Sequence, residues 1–426
     1  MPLLQSALGD DAIVLREGDF QILLLATIFP ILGTGLISPI LDSLIEPFGA
    51  TPGNIGLMIA FVTAPAIVFI PVSGFLADRY GRKVVLIVAL LLFGAGGSAI
   101  AFTTDFHVAL ALRGIQGIGF AGIVPIITAS IGDLYRGRKE VTGQGLRLMA
   151  NGLSGTVFPL LAGMLVIVAW QYPFLLYATA FPVAAIVYVR FNEPATPVDT
   201  DRIKTDRTAY LRSIFTLLSY RRAAAIVVGR GLPLFIWVGF LTFNSLIVIR
   251  VMGGTPIQAG ALVAVGNLCF AAGASQVARL VEFVGNKFQS LITTNFMMAI
   301  GFFGFLFSPT ASFSVPWVAL TGAGMGLSIS LYRSYITELS PTSLRAGVVS
   351  LGASGARVSA TVSPILMGLF IEYATPAIGQ TLALQLAGVG VAIIGGFGGI
   401  ACLLIAARSA QIPTDRLGRG STCFDS

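Results

Sequence analysis

Apolar runs of about 20 residues, each long enough to cross a hydrocarbon core ~30 Å thick, recur along the whole chain between short polar breaks. They fall at 20–43, 55–77, 84–103, 107–131, 143–168 and 172–190, then at 222–249, 255–280, 288–308, 314–335, 347–371 and 381–407. The pattern predicts an all-α polytopic membrane protein with twelve transmembrane helices. One long polar stretch, "FNEPATPVDTDRIKTDRTAY", parts the sixth run from the seventh. Its Pro, Asp and Thr content predicts a linker between two six-helix halves, and the following "LRSIFTLLSYRR" reads as a short interfacial helix. The expected organisation is a first bundle over 1–191, a linker over 192–221, and a second bundle with its tail over 222–426.

Composition agrees that the solvent is lipid. The chain is 55% hydrophobic and 11% charged, with mean hydropathy +0.88, whereas soluble domains carry about 25% charged residues. Its 50 glycines suit helices that must approach closely. The first 19 residues carry Asp10, Asp11, Glu17 and Asp19 and lack the basic start and apolar core of a secretory signal, so the first helix is expected to do the targeting. Cys269 and Cys402 lie in apolar runs and Cys423 in the tail, with no CxxC. No disulfide, metal or other cofactor is therefore expected.

The net charge of +7 gains meaning from its distribution. With the N-terminus inside, all but four of the 26 Lys and Arg fall on the inner side. Arg250 lands on an outer connection, and Arg113, Arg230 and Arg357 fall within helices. This obeys the positive-inside rule and predicts cytoplasmic termini in a cell membrane, with lipid headgroups rather than nucleic acid as the basic residues' partners. Compact loops and the lack of any N-x-[ST] sequon fit a prokaryotic inner membrane. His107 reads as a loop residue.

The halves echo each other at an offset of 204 to 205 residues. Leu76, Asp78, Gly81 and Lys83 meet Leu280, Glu282, Gly285 and Lys287; Gly117 and Gly119 meet Gly322 and Gly324. Asp133-Leu134 meets Glu338-Leu339, and Pro159 and Gly163 meet Pro364 and Gly368. Parallel six-helix repeats mark transporters that rock one half against the other, with these Pro and Gly residues as helix pivots. One such unit already encloses a pathway, so a monomer is expected.

"GFLADRYGRKVVL" places the densest charge in the turn after the second helix. Its Gly74, Asp78, Arg79, Gly81, Arg82 and Lys83 resemble the signature loop of the major facilitator superfamily, and the similarity covers all twelve helices. The resemblance implies that superfamily's fold of two pseudo-symmetric bundles, and a gate contact across them. Asp78 is expected near the start of helix eleven, at Gly347 to Leu351, where the helix N-terminus carries about half a positive charge. Gly81 supplies the positive φ such a tight turn needs.

Within the membrane, Arg113, Gln116 and Gly117 resemble the superfamily's second motif, whose Arg is implicated in proton transfer in proton-coupled relatives. A charge within a span costs at least ~2.5 kcal/mol and usually faces a watery cavity or a partner. Pro159 and Gly163 match part of the helix-five signature of drug–proton antiporters, and Gly145 fills an upstream place; Ser154, Phe158 and Ala162 stand where glycines are expected. Asp42 is the nearest candidate for the buried carboxylate of cation exporters, although it falls at the outer rim. Asn151, Arg230, Trp237, Asn244, Asn267 and Arg357 lie on helices expected to line the cavity.

These features predict a secondary active transporter of a small molecule, most like the twelve-helix drug:proton antiporters. It would export lipophilic drugs or metabolites against protons. A facilitator or symporter for an organic anion or other polar metabolite stays open, because three intramembrane arginines face no mid-membrane acid. A non-transporting receptor predicts a degraded gate loop or a large soluble appendage, and neither is present. An enzyme has no catalytic triad or metal cluster, and direct ATP coupling has no phosphate-binding loop. At ~2.3 kcal/mol per charge per 100 mV, one or two protons would suffice to drive export.

Overall fold

The computed structural model of the chain describes residues 14–193, 219–339 and 345–409. The expected linker, most of its interfacial helix, Cys423 and the tail lie outside these. Twelve helices among the described residues are long and apolar enough to cross a membrane. The first half holds α1 (Gly18–Leu44), α2 (Leu57–Tyr80), α3 (Arg82–Phe102), α4 (Phe106–Leu134), α5 (Arg138–Val168) and α6 (Tyr172–Arg190). The second holds α7 (Arg221–Val251), α8 (Pro256–Ser275), α9 (Lys287–Leu306), α10 (Ala311–Leu339), α11 (Arg345–Ile378) and α12 (Gln380–Arg408).

Helix starts follow local chemistry. The Asp105 carboxylate accepts the Val108 and His107 N–H groups and caps α4, and these two bonds hold it below the usual carboxylate range. Thr255 and Gln258 close a capping box ahead of α8, satisfying donors the helix leaves free. Large apolar side chains point outward, Phe102 being 82% exposed, as a lipid-facing surface requires.

Several helices outrun their apolar windows. α5 begins at Arg138 rather than 143, α10 continues to Leu339, and α11 runs from Arg345 to Ile378. Arg250 belongs to the π-turn that ends α7, not to a free outer connection.

The repeat has a geometric counterpart. Gly81 (φ 90°) and Gly285 (φ 95°) both take backbone that L side chains avoid. A Cβ on Gly117 would meet the Val62 carbonyl of α2 at 2.6 Å, and one on Gly322 would meet the Gly266 carbonyl of α8. Gly119 abuts α3 at Phe93 and Gly324 abuts α9 at Met298. Equivalent glycines thus close equivalent helix pairs in the two halves, because only a hydrogen side chain lets these backbones touch.

Candidate functional site

The halves meet along a seam in which α2 faces α11 and α5 faces α8. At one end the backbones touch. A Cβ on Gly163 would stand 2.5 Å from the Pro256 carbonyl oxygen, and one on Gly260 would strike that of Pro159. Gly368 abuts the Gly53 carbonyl in the same way. Further along, the Asn267 amide donates to the Gly155 carbonyl at 2.8 Å, and the Thr63 and Thr361 hydroxyls share a hydrogen bond of 3.0 Å. Then the helices part. Gly152 has Ala271 at 3.8 Å, whereas Gly145 on α5 and Gly74 on α2 have no described atom within 4 Å of a would-be Cβ. Among the described residues the seam is a V, shut at the end bearing Asp42 and Glu372 and widening toward the end bearing Gly81.

Polar groups lock the shut end. The Asp42 carboxylate of α1 pairs with the Arg250 guanidinium of α7, their side chains 12% and 32% exposed. The Asp42 N–H donates to Ser245 Oγ at 3.1 Å, and the Thr51 hydroxyl donates to Glu372 Oε2 at 2.6 Å. Asp42 is therefore no mid-cavity charge: it bridges the two halves at the closed end.

The signature loop is held by two acids from outside it. Gly81 ends α2 with φ 90° and ψ 152°. The Glu193 carboxylate sits over the following N-terminus and accepts the N–H of Arg82 and, at 3.3 Å, of Lys83, where the helix dipole favours an anion. Arg82 forms an ion pair with Asp133. Lys83 Nζ lies 6.0 Å from the Tyr188 ring centre, and Arg79 stands over Tyr80. Asp78 is exposed, and its expected partners at 347–351 have side chains outside the described residues. Glu193 and Asp133, both outside the loop, thus hold the start of α3 and Arg82.

Arg113 is fully buried within the first half. Its Nε donates to the Met58 carbonyl and its Nη2 to the Gly33 carbonyl, each at 2.7 Å. Its Nη1 reaches Gln116 Oε1 at 2.5 Å and the Tyr177 hydroxyl at 3.5 Å. One guanidinium so ties α1, α2, α4 and α6 together, and it does not line the seam in this conformation.

The other cavity candidates divide. Asn244 is buried and donates to the Ala259 carbonyl at 2.9 Å, which makes it packing between α7 and α8 rather than a ligand contact. Asn267 holds the seam shut, as described. Trp237 is nearly buried between Phe240 and Phe270. Asn151 is half-buried, with its Oδ1 lacking a partner among the described residues.

Arg230 is half-buried against α11, with its Nη1 2.8 Å from a would-be Cβ on Gly352. Arg357 crosses the seam to stack on Phe120 of α4, its guanidinium carbon 4.9 Å from the ring centre. Two further arginines join them, which the charge distribution counts with the inner-side residues. Arg147 lies on α5 and bonds Gln144 at 3.0 Å. Arg333, exposed on α10, is the electrostatic neighbour of both Arg147 and Arg230.

A family model described as Major Facilitator Superfamily matches residues 23–257. The chain is 35% identical over 150 residues to the Bacillibactin exporter of Bacillus subtilis (strain 168), covering 34% of this chain and 37% of that one. It is 26% identical over 192 residues to Multidrug resistance protein 1 of the same organism, covering 45% and 49%. These matches span less than half the length of each relative. In three dimensions the chain resembles a bacterial homolog of the human lysosomal transporter Spinster in an inward-facing and occupied conformation. The TM-score is 0.74 at 14% identity, over 93% of this chain and 97% of that one, a likeness of fold.

Proposed function

We propose that this chain, which belongs to the Major Facilitator Superfamily, exports a small molecule across the cell membrane by alternating access, in exchange for protons. The observation that carries this reading is the V-shaped seam, shut by backbone contact at one end and open at the other. A single pathway between two pseudo-symmetric halves needs two such states, and rocking about the seam interconverts them. The bias of Lys and Arg toward the open end supports a cytoplasmic placement for it, so this state would load cargo from inside. Export agrees with the name of one bacterial relative, the Bacillibactin exporter.

Asp42 supplies the coupling in this reading. It is the half-buried carboxylate that ties α1 to α7. Protonation would remove its charge and release Arg250, opening the far end; loss of the proton would restore the pair. Asp78 and the helix-eleven start would form the counterpart contact when the inner end closes, and Pro159, Gly163, Pro364 and Gly368 the pivots.

The test uses everted vesicles holding a pH gradient read by a pH-sensitive dye, with lipophilic cations, neutral drugs and organic anions added in turn. At least one class should collapse the gradient in the wild type and fail to do so with Asp42→Asn. If no compound moves protons, or Asp42→Asn behaves as wild type, the coupling assigned here is wrong.

A further inference from the structure

The exporter reading leaves open what is carried, and the arginines of the seam bear on that. At a rise of 1.5 Å per residue, Arg147 and Arg230 each lie about 13 Å inside the starts of α5 and α7, and Arg357 about 18 Å inside the start of α11. Arg357 points across the seam onto Phe120.

Like charges converge here. Arg333 faces Arg147 from the opposite half and Arg230 from its own. Neither Arg147 nor Arg357 forms an ion pair among the described residues. Asn151 sits one turn beyond Arg147 on the same face of α5, its Oδ1 buried and without a hydrogen-bond partner among the described residues. No Asp or Glu occurs within α3, α6, α7, α8, α9 or α12, and the acids of α1, α2, α4, α5, α10 and α11, among them Glu338 five residues beyond Arg333, lie toward helix ends.

An intramembrane cation is retained where it meets a partner or a pathway. Several in one water-filled, low-dielectric cleft focus a positive potential that concentrates anions. Guanidinium further suits carboxylate, phosphate or sulfonate, which it binds through two parallel hydrogen bonds.

Resting on the exporter reading, we propose that Arg147, Arg230, Arg333 and Arg357, with Asn151, form an anion-binding site in the open arm of the seam, and that the exported molecule is an organic anion. The four arginines come from α5, α7, α10 and α11, so both halves hold the ligand and rocking carries it across. Arg113 takes no part, being bonded inside the first half.

The test compares two probes with one ring system and opposite permanent charge: 2-naphthalenesulfonate and trimethyl(2-naphthyl)ammonium. The full chain, in proteoliposomes, is assayed for uptake of each, and in detergent for the rise in melting temperature each produces. The sulfonate should be transported and should stabilise the protein, while the ammonium should do neither. Arg147→Gln and Arg357→Gln should each lower sulfonate transport at least tenfold and abolish the stabilisation. Arg147→Lys, which keeps the charge, should recover part of both.

Transport of the ammonium but not the sulfonate, or sulfonate transport indifferent to both Gln variants, overturns the anion site and leaves the exporter reading standing. If neither probe moves but the sulfonate stabilises the wild type and not the Gln variants, the site stands and the exporter reading falls. If neither moves and neither stabilises, both fall.

Discussion

At the shut end of the seam α5 and α8 touch through backbone, Gly163 against Pro256 and Gly260 against Pro159; toward the open end the same helices stand apart and α5 carries Arg147. The shut end uses glycine, where a hydrogen side chain lets carbonyls of opposite halves approach, and one ion pair with little exposure. The open end uses long charged side chains that reach across a gap. The contrast teaches what each end is for. Backbone contact excludes water and small molecules and is all-or-none, so it makes a barrier. Guanidinium groups around a gap can exchange their present contacts for an anion, which is what the proposed receptor requires.

The comparison breaks most sharply where a Cβ is forced into the barrier. Gly163→Val would drive a branched side chain into the Pro256 carbonyl, and overpacking of this kind costs about 1–3 kcal/mol or more. Export in vesicles should fall at least tenfold. Spin labels at Glu46 and Gly253 should report a longer distance across the shut end; an unchanged distance with full transport would show that the glycine contact is not the barrier.

Asp42→Asn comes next. Losing one partner of a buried pair costs about 3–5 kcal/mol, but Arg250 keeps a third of its exposure, so about 1–2 kcal/mol is expected after solvent screening. The same spin-label pair should show the shut population falling, and a double-mutant cycle with Arg250→Gln should recover a coupling energy of that size. Additive effects would mean that the pair does not hold the halves.

At the other end, Glu193→Gln keeps the shape and removes the charge over the start of α3. A carboxylate at a helix N-terminus contributes about 0.3–1 kcal/mol, so thermal unfolding in detergent should shift by that small amount while the shut-end distance stays put. The smallest effect belongs to Gly145→Ala. With no described atom within 4 Å, the methyl meets open space, and replacing a mid-helix glycine should stabilise by up to about 1 kcal/mol. A loss of stability there would show that α5 is already in contact at this level.

Legibility followed chemistry. The spans, the Gly81 turn and the paired glycines of the repeat were readable because each rests on a local requirement: apolar length, a positive φ, a missing side chain at fixed spacing. The span edges were less so. A hydropathy window ends where charge begins, whereas α5 and α10 carry their charge on one face and continue as helix, so Arg147 and Arg333, inside the spans 143–168 and 314–335, count with the inner-side charges instead of the intramembrane ones. A signal did exist. Gly143, Leu146 and Ala150 keep helical spacing through the charged start of α5. The partners of Arg113 and Arg357 were not legible, since one is satisfied by backbone carbonyls of α1 and α2 and the other by a ring in the opposite half.

By itself the sequence determined that this is a twelve-helix, twofold-repeated membrane protein of the Major Facilitator Superfamily, because length, hydropathy and repeated Gly and Pro positions are properties of short segments. Only the tertiary structure decided which charges are structural and which face the seam, that Asp42 meets Arg250, that Glu193 caps the helix start after Gly81, and which end of the seam is shut. Each of those depends on a partner 55 to 321 positions away in the chain, and a side chain's role in a membrane is set by what stands opposite it.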